Sequence, residues 1–250
     1  MKVRTLFIDL CCAVICTFIA ASSFAQTDFD KANKEYAQGH FKEAIADYGT
    51  LVRSGQWSAN LFYDLGNAYF RAGDFGRAIL NYERSLALER HHPEAAANLQ
   101  IARDEARALE MQQSWPERYL QFASVNQYSI AAAVTFWVGA FCTVALIFAR
   151  RRSARLIALS ILSFSVYALA IFATYEIDHG NKGRALAIIT DDNVQARLAT
   201  ADTANSILAL PPGSEIKMLN TRGDWVYAEL PNNLRGWIPA KSTGLVRLSK

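Results

Sequence analysis

Cysteine and histidine are scarce in this chain of 250 residues, four of each, and their placement excludes several chemistries at once. Cys11, Cys12 and Cys16 fall in the N-terminal apolar run and Cys142 in a second apolar run. The polar regions can therefore hold neither a disulfide nor a thiolate metal site. His40, His91, His92 and His179 show no HExxH or other ligand spacing, and His91-His92 reads as a solvated turn. Nucleophile-elbow, Walker and dinucleotide fingerprints are missing too, and Asp191-Asp192 suits a hairpin turn better than a catalytic carboxylate pair. The expectation is a protein that binds and performs no chemistry, with no cofactor and no metal. Net charge is small as well. The net charge of +3 is uneven: residues 26–125 carry 11 basic and 14 acidic side chains, whereas 150–155 holds four arginines. A basic excess confined to six residues is no nucleic-acid surface.

What the chain has in abundance is apolar sequence, 52% of all residues, gathered in three stretches. Leu6 to Ala20 follows Lys2 and Arg4 and precedes Ser23-Phe24-Ala25. That is the pattern of a secretory signal peptide over 1–25, cut after Ala25, with an uncleaved anchor as the alternative. Residues 128–149 run for 22 positions without a charge, and 156–175 for another 20. At 1.5 Å of rise per residue, about 20 apolar residues cross a hydrocarbon core of roughly 30 Å. The turn over 150–155 allows only a tight hairpin between two transmembrane helices, and arginines of such loops stay in the cytoplasm. The expectation is a multi-pass inner (cytoplasmic) membrane protein with both flanking regions periplasmic. Neither span holds Asp, Glu, Lys, Arg or His, so no ion pathway is expected. Gly139, Thr143, Ser160, Ser163 and Ser165 permit close helix contact, within the hairpin or with a partner's helices.

The region between the first two apolar stretches repeats itself. Gly39, Phe41, Ala44, Ile45 and Tyr48 recur 34 residues later as Gly73, Phe75, Ala78, Ile79 and Tyr82; Ala32 and Tyr36 match Gly66 and Phe70. This period, with small residues where helices touch, resembles the tetratricopeptide repeat (TPR) family of stacked helix pairs. One repeat spans about 26–57 and a second 59–92. A third unit starts at Pro93, with Ala95, Leu99, Ala102, Ala106 and Leu109 on one face of a capping helix running to about Met111. A TPR domain over 26–112 follows. The resemblance implies closest helix approach at Gly66 and Ala78. It also implies a concave groove for a peptide or protein partner at Asn33, Tyr36, Asn67, Phe70 and Arg71, unless these only solvate a short groove. Phe29 stands where the family's carboxylate-binding lysine would be, so recognition of a chain terminus is not implied. Residues 113–127 form a linker whose Trp115, Tyr119 and Phe122 either lie at headgroup depth or cover the repeats.

After a linker at 176–184 the pattern changes to short alternating runs. Ala185 to Thr190, Val194 to Leu198, Ser206 to Leu210, Glu215 to Leu219, Trp225 to Leu230 and Arg235 to Ile238 read as strands. Asp191-Asp192-Asn193, Pro211-Pro212-Gly213, Arg222-Gly223-Asp224 and Pro231-Asn232-Asn233 read as the turns between them. Pro212-Gly213, Gly223-Asp224-Trp225-Val226 and Arg235-Gly236-Trp237-Ile238-Pro239-Ala240 resemble a bacterial SH3-like (SH3b) barrel over 185–250, without that family's Arg-x-x-Pro after the first strand. Trp225, Tyr227 and Trp237 are candidates for its ligand surface, or rings that cover the ends of a small barrel.

The order of parts resembles the BatE-type proteins of bacterial aerotolerance (Bat) operons. The expected fold is a multidomain membrane protein: an α-helical TPR solenoid, a two-helix transmembrane hairpin and a small all-β SH3-like barrel. The resemblance implies partnership with von Willebrand factor A-type Bat membrane proteins and a MoxR-type ATPase. Two roles compete: a scaffold for protein partners, or a cell-wall sensor that binds peptidoglycan.

Overall fold

A computed structural model describes residues 28–120, 122–149 and 153–248. The expected signal peptide at 1–25 and arginines 150–152 of the hairpin turn lie outside the described residues.

The 34-residue period becomes two helix pairs: α1 (28–37) with α2 (Phe41–Arg53), and α3 (Ala59–Arg71) with α4 (Phe75–Leu88). Gly39 and Gly73 make the turn within each pair at φ +81° and +82°, where a side chain would be strained. Ser58 and Asp74 cap α3 and α4 by accepting from the Leu61 and Arg77 backbone N–H groups. Each such cap contributes about 1 kcal/mol. Leu61, Leu65 and Ala68 close one core with Ala32, Ala44 and Tyr48 of the first pair. A Cβ at Gly66 would stand 2.7 Å from the Tyr82 ring, and Ala78 is fully buried, so the second pair touches where its small residues fall.

Helix α5 (Pro93–Ala106) starts at the expected proline but ends five residues before Met111, with Arg107 left-handed at φ 52°. The chain beyond it runs along the sheet, where the Glu215 N–H donates to the Leu109 carbonyl at 2.8 Å. Short α6 (Trp115–Leu120) leads to α7 (Val125–Phe148) and α8 (Ala154–His179). These two are long and apolar enough to cross a membrane, and only 17% and 22% of their most apolar windows are buried. The core helix of a water-soluble protein would be mostly covered. Gly139, Cys142, Ser160 and Ser163 are buried where α7 meets α8, and the Thr143 and Ser160 hydroxyls lie 3.0 Å apart.

All six expected strands form: β1 (Leu186–Ile189), β2 (Val194–Arg197), β3 (Ser206–Leu210), β4 (Glu215–Arg222), β5 (Trp225–Glu229) and β6 (Arg235–Pro239). A seventh, β7 (Thr243–Leu245), was not expected. They make one antiparallel sheet in the order β3-β2-β6-β5-β4-β1-β7. No ladder joins β3 to β7 among the described residues, so the sheet is open where a closed barrel was expected. Ala187, Ile189, Ile216, Val226, Ala228 and Ile238 build its core.

The sheet is not a separate body on a tether. Leu186 and Ile188, on the other side of β1, share a second core with Ala78, Ile79 and Leu80 of α4, Leu99 and Ala102 of α5, and Val246. Every residue of β1 is therefore buried, which explains its unbroken apolar run. A Cβ at Gly76 would lie 2.6 Å from the Thr190 carbonyl oxygen, so the first turn of α4 touches the sheet's backbone.

Candidate functional site

The groove on the repeat pair is built from α1, α3 and α5. Tyr36, Asn67, Phe70 and Arg71 line a cavity of about 210 Å³ together with Tyr82, Asn98 and Ile101. Four of the five sequence-derived groove residues thus meet, and Asn33 does not line this cavity. Its Oδ1 instead accepts from the Tyr48 hydroxyl at 2.5 Å. The same contact recurs one repeat later, where the Tyr82 hydroxyl donates to Asn67 Oδ1 at 2.8 Å. Asn98 Nδ2 donates to that oxygen as well, at 2.9 Å. Both lone pairs of Asn67 Oδ1 are occupied, so the amide faces a ligand as a donor. Burial pushes the Tyr36 and Tyr82 phenols up, which keeps them protonated and donating. Phe70 meets Phe75 edge-on at 5.5 Å, as Tyr36 meets Phe41 at 5.6 Å, and the exposed Arg71 lies over the Phe41 ring at 5.1 Å. Amide donors, an aromatic wall and one cation suit an extended peptide: carbonyls to pair, side chains to cover, an acidic group to attract.

Asn98 and Ile101 are groove residues that a reading of α5 as a capping helix does not include. Ile101 is half exposed although apolar and lies off the face formed by Ala95, Leu99 and Ala102, which is the signal that marked it.

Beside the groove, a shallow cavity of about 510 Å³ includes Asp64, His91, His92 and Glu94 in its lining. Burial pushes the Asp64 carboxyl up to about 6, with His92 opposing the shift. His92 corrects the expectation of a solvated turn: its Nδ1 accepts from the Ala95 N–H at 3.3 Å, capping α5, and its ring lies 4.9 Å from that of Tyr63. No group of three or more His, Cys, Asp or Glu that could hold a metal ion occurs among the described residues.

On the sheet, Val226, Ala228 and Leu230 point inward, while Trp225, Tyr227 and Trp237 are half-buried on the other face. Tyr227 and Trp237 are cross-strand partners with ring centroids 5.0 Å apart, and Trp225 stands opposite Pro239. These rings cover no barrel end; they form a small aromatic surface on β5 and β6. Trp115 and Phe122 are 74% and 81% exposed, so the linker aromatics do not cover the repeats.

Residues 59–92 match the family model of the tetratricopeptide repeat, the segment that forms α3, α4 and the turn into α5. No curated protein matches the chain. The chain therefore contains a tetratricopeptide repeat, a unit that points to association with other proteins.

Proposed function

We propose that this chain is a non-catalytic, membrane-anchored scaffold that holds a protein partner in the groove of its helical repeats. The carrying observation is the cavity at Tyr36, Asn67, Phe70 and Arg71, the last three of which fall in the matched repeat, where Asn67 is fixed as a donor by Tyr82 and Asn98. Helices α7 and α8 serve as the membrane anchor, with the repeats and the sheet at one end and the end of α7 and start of α8 at the other, cytoplasmic end. The order of parts favours a BatE-type role beside von Willebrand factor A-type Bat proteins and a MoxR-type ATPase, with an SH3-like sheet. A photo-crosslinking amino acid at position 70 in whole cells should capture one defined protein, and Asn67→Ala should abolish that adduct. An adduct that forms equally in the Asn67→Ala variant refutes the groove as the binding site.

The aromatic surface of the sheet favours a second reading, in which Trp225, Tyr227 and Trp237 stack on peptidoglycan sugars. Detergent-solubilised full chain should then sediment with purified cell wall, and a Trp225→Ala/Trp237→Ala variant should stay in solution. Equal sedimentation of both removes this reading.

A further inference from the structure

A cavity of about 650 Å³ lies where the repeats, the sheet and the hairpin meet, away from the groove. Four cationic side chains line it, Arg84, Arg90, Lys182 and Arg247, against one carboxylate, Glu83. Glu83 is already taken by Arg103 at 2.5 Å, and Lys182 by Glu215 at 3.0 Å. Arg84 forms no ion pair with a carboxylate among the described residues; its Nε and Nη2 donate to the Leu245 carbonyl, and burial pulls it down to about 10. Burial pulls Arg247 down as well, and its nearest carboxylate, Asp178 at 3.7 Å, is held more closely by Arg184 at 2.7 Å. Among the described residues, then, Arg84 has no carboxylate partner and Arg247 only a shared, distant one.

The cavity's position identifies what would answer it. Ser124, Val125 and Asn126, at the start of α7, form part of its lining. A second cavity of about 170 Å³ shares Arg90, Lys182 and Arg247 and reaches Ile177 near the end of α8. Its carboxylate, Glu117, accepts from the Ser114 and Lys182 N–H groups. Arg90 Nη1 donates to the Ala123 carbonyl at 3.2 Å, one residue before the cap of α7 and beside the exposed Phe122. The cations therefore converge at the level where both apolar helices emerge, and Phe62, Leu86 and Leu88 supply an apolar wall.

We propose that this cavity binds the phosphate headgroup of an anionic phospholipid from the leaflet on the side of the repeats and sheet. The proposal rests on the reading of α7 and α8 as membrane-spanning. Guanidinium groups pair with phosphate through two parallel hydrogen bonds, and basic pockets beside spanning helices favour anionic headgroups. Bound lipid would fix the height of the groove above the membrane.

The test uses full-length protein in nanodiscs of phosphatidylcholine with graded phosphatidylglycerol, and counts lipids retained after release into the mass spectrometer. Wild type should retain phosphatidylglycerol selectively. Arg247→Gln should weaken that retention about fivefold, as expected for one cation near a membrane surface. Arg222→Gln, at the far end of β4 and outside both cavities, should leave it unchanged. Circular dichroism and Arg247→Lys, which keeps the charge and should keep the selectivity, separate loss of binding from loss of fold. Equal retention of the two lipids by wild type, or unchanged selectivity in a folded Arg247→Gln, overturns the site. If inorganic phosphate alone raises the unfolding midpoint in detergent and phosphatidylglycerol adds nothing, the ligand is a soluble phosphate and the lipid assignment falls. Failure to enter nanodiscs at all would instead overturn the membrane-spanning reading.

Discussion

Arg103 on α5 is the side chain whose loss should most disturb the joint between helices and sheet. Its Nη2 donates to Glu83 on α4 at 2.5 Å and also to Glu215 at the start of β4, while Nη1 lies 3.4 Å from Glu110. Glu215 is completely buried and further accepts from Lys182 Nζ at 3.0 Å and the Met111 N–H at 2.8 Å. One guanidinium thus ties together two repeat helices, the chain after them and the sheet. Burial pushes the Glu83 carboxyl up, and the Arg103 guanidinium beside it opposes the shift. Removing one partner of a buried ion pair costs about 3–5 kcal/mol, because the other charge is stranded. Glu215 retains Lys182, which places Arg103→Met near the lower end, about 3 kcal/mol. For a chain of this size that is a fall of roughly 6–12 °C in unfolding midpoint. Thermal unfolding of the full chain in detergent, followed by tryptophan emission, reads it. The partner variant Arg103→Met/Glu83→Met removes the stranded carboxylate and should recover about 1 kcal/mol or more. A midpoint shift below about 2 °C for Arg103→Met, or strict additivity in the double variant, would refute the reasoning.

Three further outcomes follow from single contacts. Asp64 has a folded-state pKa raised from 3.8 to about 6, so the folded chain holds this proton more tightly than the unfolded one. The associated stability is complete below the unfolded value and lost as pH rises through about 6; wild type should weaken between pH 4 and 6.5, and Asp64→Asn should flatten that slope in denaturant titrations. Gly76→Ala places a methyl group 2.6 Å from the Thr190 carbonyl, a backbone atom that cannot rotate away. It should cost about 1–3 kcal/mol in urea unfolding while leaving helical circular dichroism unchanged. Tyr82→Phe deletes the hydroxyl that donates to Asn67, at about 0.5–1.5 kcal/mol, and releases the amide to rotate. Crosslinking from position 70 should fall although the chain remains folded; undiminished capture would show that the orientation of Asn67 does not matter.

The parts legible in the sequence are those whose signal is local. Gly39 and Gly73 announce turns because only glycine sits there without strain, and Gly66 and Ala78 announce helix contact because nothing larger fits. Alternation and turn clusters located six strands within a residue or two at most ends. Strand β7 was invisible: Thr243-Gly244-Leu245 has neither length nor alternation, and it is a strand because β1 lies beside it. The end of α5 was missed for a related reason. Arg107 adopts a left-handed conformation that glycine usually marks, and what ends the helix is the Ser214-Glu215 edge that captures Leu109 and Met111. Arg103 and Glu215 are 112 residues apart and Lys182 and Glu215 are 33 apart, separations over which no periodic pattern operates.

The sheet also changes what completes the repeat array. Stacked helix pairs need about three units because each buries its apolar side on the next, and α5 has no partner helix. The sequence alone assigned the whole covering task to α5. In the fold, α5 covers α4 with Leu99 and Ala102, but β1 and Val246 cover the surface these helices still leave bare. Strand β1 thus covers apolar surface of α4 and α5 that no further repeat helix covers, and its double-sided burial is the consequence. Chain order then constrains the rest. Between α5 and β1 the chain passes through α6, α7 and α8, so closing this core brings the start of α7 and the end of α8 under the same joint. Lys217 Nζ bonds the His179 carbonyl and Asn181 Nδ2 the Gln112 carbonyl, which fixes the hairpin to both sides of it. The sheet edge that holds the hairpin also packs on α5, whose Asn98 holds the groove's Asn67. The groove and the apolar hairpin are two ends of one packed unit rather than beads on a string.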